Sequence, residues 1–428
     1  MQQPGKSRDE VFAALAQARS GDADWKHGRT FSLVYFAGDE SLELIRHAYA
    51  SFIHENGLSM DAFPSLRQFE REVIKNGCEI FGGASCGSMT SGGTESILMA
   101  MKAARDWARA ERGGRGTVVV PCTAHPAFDK AAHTLGLRLI KVPVGGDFRA
   151  DLAATEAAID GDTIMLVGSA FSFPHGVVDD IPALASMALS RGLLCHVDAC
   201  LGGFVLAFAD DPVPFDFRVP GVTSLSADLH KYGYAAKGAS LVLYRDRSLR
   251  RHQFFATTDW PGGLYGSPTM AGTRPGGAIA AAWAIQQYLG RDGYVRLTRQ
   301  VLASARSLRE GIAAVPGLRL LGDARHSVIA FTGDGVDVFA VDERLRRLGW
   351  HLDRLQAPSG VQMIVSAAHG GVEEAFLADL REVTAEVREK GLAAEADGAI
   401  YGALATMPDR ELVGELVLGW LDGHADGA

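Results

Sequence analysis

The sequence predicts an α/β protein with a mostly parallel central sheet and a smaller C-terminal α/β domain. From residue 117 onward, short apolar runs rich in β-branched residues alternate with helix-like segments, a spacing that implies right-handed crossovers between parallel strands. Beyond Arg291 the composition shifts toward helices rich in Arg, Leu and Ala. With 428 residues, of which 47% are hydrophobic and 22% charged, the chain is long enough for one large core and a smaller second domain.

The net charge and the N-terminal composition exclude two classes of protein. The formal net charge is -9, whereas a sequence-independent nucleic-acid binder needs a basic surface, so we expect no nucleic-acid partner. Residues 1–23 are polar and charged around a short apolar patch, which fits neither a signal sequence nor a membrane span. We therefore expect a cytoplasmic protein with no integral membrane segment.

The five cysteines predict neither a disulfide framework nor a metal site. Their number is odd and they lie mostly in apolar surroundings, which favours reduced core thiols. The segment Cys195-His196-x-x-x-Cys200 lacks a second ligand pair at zinc spacing. We expect free thiols and no bound metal.

The first predicted elements are helices and a glycine-rich turn. A helix is expected at 41–53, and another begins at Pro64 or Ser65. The turn, CGSMTSGGTES at 86–96, leads into an alanine-rich helix at 97–110. Glycines before a helix leave its first N–H groups open for an anion, although a plain loop with a capped helix fits the same residues.

Polar residues follow three of the strands predicted for the sheet. Strands are expected at 118–120, 139–142, 164–167 and 193–197, separated by helices at 127–135, 152–159 and 181–191. His125, His175 and Asp198 come after the first, third and fourth of these strands. Because ligands bind at the carboxyl ends of parallel strands, these side chains mark the expected site.

Asp198 and His125 each allow a structural and a functional interpretation. An acid at the end of a buried strand must be paired to remain ionised, either in a salt bridge or with a protonated pyridine nitrogen. The second pairing would keep a cofactor ring a strong electron sink. His125 is either a satisfied core histidine or a group that stacks on the face of such a ring.

Lys231 is the residue around which the sequence is organised. It lies in SLSADLHKYGYAAKG at 224–238, on a loop between two predicted strands. Most lysines are solvated, but one that is held by strands can form an imine with a carbonyl group if burial or a nearby cation lowers its pKa. His230 and Lys237 are close enough in the sequence to lower the pKa of Lys231.

The remaining elements complete the prediction of domains. Glycine-rich loops at 262–268 and 271–277 precede a helix at 278–288, and later strands are expected at 318–321, 328–331 and 361–365. The chain is thus predicted to consist of an N-terminal arm and helix (1–56), a large cofactor-binding domain (57–290) and a small C-terminal domain (291–428).

Five motifs follow one another along the chain. They are TSGGTES at 90–96, FPHG at 173–176, HVDACLGGF at 196–204, SADLHKYGY at 226–234 and GTRPG at 272–276. In this order the chain resembles the sphingosine-1-phosphate lyases, a branch of the pyridoxal-phosphate group II decarboxylases, over nearly its whole length. The resemblance implies the aspartate-aminotransferase-like fold type I, a pyridoxal 5'-phosphate cofactor and an obligate homodimer with active sites at its interface.

The resemblance also implies a role for each matched residue. Lys231 would form an imine with the cofactor, Asp198 would hold its pyridinium group and His125 would stack on its ring. The cofactor phosphate would be bound by Gly93, Thr94, His230, Gly272 and Thr273. Of these, Gly272 and Thr273 would reach in from the partner subunit.

Three residues are implicated in binding the phosphate of the substrate. In the family that the chain resembles, a tyrosine at the place of Tyr35 and a lysine at the place of Lys237 bind it. Bacterial members often have a histidine, a third ligand, where this chain has Ser59. Hydrogen bonds to charged groups contribute roughly 1.5–3 kcal/mol, against about 1 kcal/mol for neutral ones. With Ser59, we expect a weaker phosphate site or one adapted to another head group.

The implied reaction is a retro-aldol cleavage of the Cα–Cβ bond of a phosphorylated long-chain base of the sphingosine 1-phosphate type, which yields phosphoethanolamine and a long-chain aldehyde. Its general base is either the released Lys231 or Tyr234. The alternative is an amino-acid decarboxylase or a hydroxyamino-acid aldolase, which would need a cation such as Arg274 for the α-carboxylate. A third interpretation, a scaffold that lost the cofactor, is disfavoured by the presence of Lys231, Asp198 and His125.

Overall fold

Two sheets and a hairpin carry the fold. The computed structural model describes residues 4–113, 116–323, 325–395 and 397–426. In that part of the chain, a seven-stranded sheet, a four-stranded sheet and a two-stranded hairpin are accompanied by α-helices. The predicted α/β class, with a large, mostly parallel sheet and a smaller second sheet, is confirmed.

The elements follow in chain order. The strands of the large sheet are β1 (Cys86–Thr90), β2 (Thr117–Pro121), β3 (Arg138–Val142), β4 (Thr163–Ser169), β5 (Leu194–Asp198), β6 (Ser224–Ala227) and β7 (Ser240–Tyr244). The hairpin consists of β8 (Phe255–Thr257) and β9 (Tyr265–Ser267), and the small sheet of β10 (Leu318–Leu320), β11 (Val328–Gly333), β12 (Asp353–Gln356) and β13 (Ser359–Ile364). The helices are α1 (Arg8–Arg19), α2 (Asp39–Ser51), α3 (Pro64–Ile80), α4 (Gly93–Glu111), α5 (Ala127–Leu135), α6 (Leu152–Ala157), α7 (Ile181–Ser190), α8 (Gly203–Phe208), α9 (Arg247–Arg251), α10 (Gly276–Ala313), α11 (Val338–Arg347), α12 (Glu373–Lys390), α13 (Asp397–Thr406) and α14 (Arg410–Asp426), with a 3-10 helix at Ala367–His369.

The large sheet is parallel at its centre. Its strands lie in the order β1-β7-β6-β5-β4-β2-β3. Strand β2 is parallel to β3 and β4, the pairs β4–β5 and β5–β6 are also parallel, and β7 is antiparallel to β1 and β6. The carboxyl ends of β5 and β6, at Asp198 and Ala227, therefore lie side by side.

Strand β1 corrects the prediction of an uninterrupted turn at 86–96. Its five residues are all buried, and they pair antiparallel with β7. Small residues are needed here because the strands and helices pack closely, and a Cβ at Gly87 would lie 2.8 Å from the carbonyl oxygen of Val242. The same composition that suggests a turn thus serves a buried strand. The β8–β9 hairpin is a second difference from the prediction, since β9 lies within the glycine-rich loop expected at 262–268.

Helix α10 crosses the predicted boundary between the large and small domains. Gly290 has non-helical angles, φ 53° and ψ -171°, inside this helix. Glycine adopts a positive φ without a steric penalty, so the helix can kink at this position. The predicted boundary at 290/291 coincides with the kink, and the division into three domains remains a prediction.

The N-terminal arm is anchored in the core of the small sheet. Phe31 is fully buried there, with its ring stacked on that of His369 at 4.2 Å and edge-on to that of Phe376 at 4.9 Å. A backbone hydrogen bond from the N–H of Ile364 to the carbonyl of Phe31 fixes the arm against β13. These contacts determine where the next residues of the arm, up to Tyr35, approach the large sheet.

Two features of the described residues bear on metal binding and membranes. The five cysteines are free, and His196 uses its ring nitrogens to hydrogen-bond the hydroxyls of Ser224 and Ser226. Across the described ranges, no cluster of His, Cys, Asp and Glu could hold a metal ion. No helix in those ranges has the length and apolar character needed to cross a bilayer.

Candidate active site

Lys231 lies on the turn that follows β6, at the carboxyl ends of the parallel strands. Its Nζ is 3.0 Å from Oδ2 of Asp228, whose side chain is only 2% exposed. The same oxygen lies 3.4 Å from Nε2 of His230. The Asp228 carboxylate is therefore buried between two nitrogen groups of its own motif.

The surroundings of Lys231 raise its pKa, contrary to the expectation from the sequence. Burial, the largest single effect, acts to lower the pKa of Lys231, but the attraction and hydrogen bond of the Asp228 carboxylate, together with Cys200 and Tyr35, outweigh it. The expectation of a lowered pKa was wrong because the loop brings a buried carboxylate into contact with the ammonium. The free lysine is thus held as an ammonium ion.

The glycines before α4 lie against the same carboxylate. A Cβ at Gly92 would lie 3.2 Å from Cε1 of His230. One at Gly93 would lie 3.0 Å from both carboxylate oxygens of Asp228. Because these positions lack side chains, His230 and Asp228 can approach the start of α4 this closely. The structure thus brings Gly93 and His230 close to the same carboxylate, with Thr94 next in α4.

Asp198 and His125 follow two strands of the large sheet, β5 and β2, that are separated by β4. Asp198 is buried at the end of β5, where its Oδ1 accepts the N–H of Cys200 at 3.1 Å. Nδ1 of His125 accepts the N–H of Ala127 at 3.1 Å, which leaves the proton of the neutral ring on Nε2. Burial lowers the pKa of His125, while Asp198 acts to raise it and Lys231 to lower it. The structure therefore places Asp198 and Lys231 both within electrostatic reach of His125.

Tyr35 and Lys237 form a pair beside this group. The ammonium of Lys237 lies 5.4 Å from the ring centroid of Tyr35 and donates a hydrogen bond to the carbonyl of Leu33 at 2.8 Å. Burial, and then the charge of Lys231, lower the pKa of Lys237. Burial raises the pKa of Tyr35. Two of the three residues predicted to bind the substrate phosphate are thus brought together next to Lys231.

The third predicted phosphate ligand, Ser59, lies with a different segment. Its N–H donates to Oδ1 of Asn56 at 3.0 Å on an exposed turn. Asn56 in turn forms a backbone bridge with Pro275. Within the described chain, the contacts of Ser59 therefore lead to the segment that carries Gly272 and Thr273, and not to the substrate-phosphate pair.

Two acidic residues to which the sequence analysis gave no role hold the site together. One is Asp228, the partner of the active-site lysine. The other is Glu95, whose Oε2 accepts the N–H of Ser91 at 2.7 Å and whose Oε1 accepts the N–H of Met270 at 2.9 Å. Glu95 thus connects the first turn of α4 to the segment just before Gly272. The signal in the sequence is an acid inside an apolar, glycine-rich motif, since a buried acid needs partners.

His175 follows β4 but is enclosed elsewhere. Its ring stacks on that of Phe148 at 4.0 Å, and among the described residues neither ring nitrogen has a hydrogen-bond partner. Burial lowers the pKa of His175 to about 4, so the ring is neutral at physiological pH. The structure gives this histidine a packing role and no contact with the other site residues.

Comparison with known proteins places the chain in a family. Residues 20–333 match the family described as the pyridoxal-dependent decarboxylase conserved domain. A sphingosine-1-phosphate lyase of Arabidopsis thaliana is 43% identical, over 97% of this chain and 79% of the relative. The solved structure of a sphingosine-1-phosphate lyase from Burkholderia pseudomallei K96243 is 38% identical and has a TM-score of 0.88, over 91% of this chain and 93% of that chain. A glutamate decarboxylase from Lactobacillus brevis, at 19% identity and a TM-score of 0.80 over 91% of this chain and 95% of that chain, shares the fold.

Pyridoxal 5'-phosphate, the cofactor of this family, fits the residues at the carboxyl ends of the strands. Lys231 offers a primary amine to an aldehyde, Asp198 offers a buried carboxylate to a protonated ring nitrogen, and His125 offers a ring to the cofactor face. Helix α4 begins at Gly93, and the N-terminus of a helix is a position where a phosphate group is favoured. With this donor set and these relatives, the chain belongs to the sphingosine-1-phosphate lyases of the pyridoxal-dependent decarboxylase family, and it is a pyridoxal-phosphate-dependent lyase.

Proposed function

We propose that the protein cleaves the Cα–Cβ bond of a phosphorylated long-chain base of the sphingosine 1-phosphate type, releasing phosphoethanolamine and a long-chain aldehyde. The observation that carries the proposal is the position of the Lys237 ammonium, 5.4 Å from the Tyr35 ring centroid and close enough to Lys231 for the two charges to interact. A cation and a phenol beside the reactive amine suit the phosphate of such a substrate, because charged hydrogen bonds to phosphate are strong.

The cofactor and the residues that would hold it have different roles in the reaction. When bound, pyridoxal 5'-phosphate supplies a sink for the electron pair that the broken bond leaves behind. Asp198 would hold a proton on the ring nitrogen, because a buried carboxylate is stable only beside a positive charge or donors. His125 would lie on the ring face, and Gly93, Thr94 and His230 would hold the phosphate at the N-terminus of α4.

Binding of the substrate phosphate would decide which bond is cleaved. Lys237 and Tyr35 would fix the head group, and the bond that is thereby turned perpendicular to the cofactor ring is the one that breaks. Tyr234 is disfavoured as the general base, because its side chain is 3% exposed and its ring lies near those of Tyr232 and Tyr294. Burial also raises the pKa of Tyr234, which makes its phenolate harder to form at neutral pH.

The contacts of Arg274 disfavour the decarboxylase and aldolase alternative. Arg274 is 8% exposed, and its guanidinium forms a bidentate ion pair with Glu70 and donates a further hydrogen bond to the carbonyl of Gly57 at 2.8 Å. A cation that is buried and paired in this way would have to abandon its carboxylate before it could bind that of an amino acid. Arg274, the cation that the alternative requires, is therefore already paired with Glu70.

We further propose a homodimer with shared active sites, working in the cytoplasm. The segment before Gly272 and Thr273 is the β8–β9 hairpin, on which Trp260 is 54% and Leu264 is 84% exposed. Large apolar side chains exposed close together mark surfaces of association. A second copy of this chain would cover them and bring Gly272 and Thr273 to its neighbour's cofactor. The free cysteines suit a reducing compartment.

A product assay tests the proposed reaction. The cofactor-loaded protein is offered sphingosine 1-phosphate and, separately, a panel of amino acids, and aldehyde and carbon dioxide are measured independently. We expect equal amounts of long-chain aldehyde and phosphoethanolamine, and their loss in Lys231→Ala. Carbon dioxide from an amino acid without any aldehyde from the phosphorylated base would replace the proposal with the decarboxylase alternative.

A further inference from the structure

We propose that Asp228 is a positioning residue that stabilises a proton on Nζ of Lys231 whenever that amine is free, so that the released Lys231 takes up the proton of the substrate hydroxyl and later donates it to carbon. This inference rests on the role proposed above for Lys231. It assigns a function to an acid that lies inside the lysine motif and touches the amine directly.

The hydrogen bonds around Asp228 fix its ionisation state. Nδ1 of His230 accepts the N–H of Ala239 at 3.3 Å, so the proton of the neutral ring is on Nε2, which faces Oδ2 of Asp228 at 3.4 Å. Lys231 approaches the same oxygen at 3.0 Å. Burial acts to raise the pKa of Asp228, but Lys231 and His230 outweigh it and hold this pKa well below its usual range. The acid is therefore a permanent anion.

The two ends of this ion pair differ in their freedom to move. The side chain of Asp228 is 2% exposed, whereas that of Lys231 is 22% exposed. The backbone N–H of Asp228 donates to the carbonyl of Cys200 at 3.3 Å, and its carboxylate packs against Gly93 so closely that a Cβ there would be 3.0 Å away. Asp228 is thus fixed while Lys231 can leave and return. This asymmetry suits a lysine that is alternately bonded to the cofactor and free.

The proton that Asp228 stabilises comes from the substrate hydroxyl, which loses it to the released amine of Lys231 as the carbon–carbon bond breaks and the aldehyde forms. The carbon that keeps the substrate nitrogen then holds an extra electron pair, and this pair forms a new C–H bond with a proton from Nζ. Lys231 is left as a neutral amine, which is the form that can bond again to the cofactor. The titratable groups whose charges act on this amine are Asp228, Cys200, Tyr35, His125 and Lys237. Among these, Asp228 is the carboxylate in hydrogen-bond contact.

The test measures the titration of Lys231 in the cofactor-free protein. Lysines are labelled with brief pulses of an acylating reagent from about pH 7 to about pH 11, around the ordinary lysine pKa, and the label at each site is quantified by mass spectrometry. Lys75, whose side chain is 74% exposed, serves as the internal reference. We expect Lys231 of the wild type to reach half-maximal labelling at a higher pH than Lys75.

The variants distinguish the effect of the carboxylate on the pKa of Lys231 from the effect of burial. Asp228→Asn should move the midpoint of Lys231 below that of Lys75, since burial then loses its strongest opponent. Labelling at about pH 8 should rise at least tenfold, because each unit in pKa changes the neutral fraction roughly tenfold. Asp228→Glu should keep a high midpoint. The control Asp216→Asn removes another acid whose side chain is 2% exposed, paired with Arg218, and should leave Lys231 unchanged.

Two results would overturn the proposal. One is a wild-type midpoint for Lys231 at or below that of Lys75, a comparison that stands even if Asp228→Asn does not fold. The other is an equal midpoint in the wild type and in folded Asp228→Asn. No substrate is used in this titration. A failure to cleave a phosphorylated base would therefore count against the proposed function without changing the result for Lys231 and Asp228.

Discussion

The ammonium of Lys237 lies 5.4 Å from the ring centroid of Tyr35, and its hydrogen bond to the carbonyl of Leu33 holds it there. The two residues come from the loop after the active-site lysine and from the N-terminal arm. Because Phe31 anchors the arm in the core of the small sheet, the spacing of this pair depends on how the two sheets are packed. The proposed anion site can therefore be tested by substituting its residues one at a time.

Lys237→Ala should weaken the use of phosphorylated substrates selectively. The loss of a charged hydrogen bond costs roughly 1.5–3 kcal/mol, which corresponds to a rise in KM of roughly ten- to a hundredfold. Cofactor binding should not change. KM is to be measured for a phosphorylated long-chain base and for its unphosphorylated counterpart. Equal effects on both would show that Lys237 supports the loop and not the ligand, and would favour the decarboxylase or aldolase alternative.

The same lysine predicts a pH dependence of KM. Burial, followed by the charge of Lys231, lowers the pKa of Lys237 below its ordinary value. Only the protonated amine binds phosphate well, so binding is present below this pKa and is lost as the pH rises through it, earlier than for an ordinary lysine. KM for the phosphorylated base should therefore rise on the alkaline side. In Lys237→Arg, which stays charged, the rise should disappear, and an unchanged pH profile in this variant would assign the titration to another group.

The parallel strands, and the positions of His125, Asp198 and Lys231 just after strands, could be predicted from the sequence because these features are local. An apolar β-branched run forms a strand wherever it is buried, and a short motif keeps its residues together. The pKa of Lys231 could not be predicted, since the depth at which Asp228 is buried depends on α4 packing against it. Strand β1 could not be predicted for a related reason. Its small residues are typical of a turn, and the need for them in a strand comes from a long-range contact, that of Gly87 with Val242.

The buried pair of Arg274 and Glu70 predicts a large effect on stability. Both residues are 8% exposed, and the guanidinium binds both carboxylate oxygens. Glu70→Gln leaves the arginine charge buried without its counter-ion, which should lower the free energy of unfolding by about 3–5 kcal/mol. The double variant Glu70→Leu with Arg274→Leu should recover much of that loss, as measured by urea denaturation. Wild-type stability of Glu70→Gln would mean that the charge is reached by water.

Ser59→His should improve binding of a phosphorylated substrate if this turn faces the phosphate in the assembled enzyme. An imidazolium adds a charged donor where the serine offers a neutral one, so KM should fall several-fold, and more at about pH 6 than at about pH 8 because histidine is protonated mainly below its pKa of about 6.5. Ser59→Ala is the matched control and should change KM little. The same improvement for an unphosphorylated substrate would show that the new side chain acts by packing.

Mixed dimers can decide whether Gly272 and Thr273 serve their own chain or its partner. Within one chain, Thr273 lines a small cavity with Thr90 and Glu95, so service to its own site is a real alternative. Lys231→Ala and Gly272→Leu, each inactive as a homodimer, are to be co-expressed with different tags and the heterodimer purified through both. If these residues cross the interface, one of its two sites combines an intact lysine with an intact glycine loop, and the heterodimer should have about half the wild-type activity. If they serve their own chain, both sites carry one defect and the heterodimer stays inactive. An active wild-type monomer at assay concentration would rule out shared sites altogether.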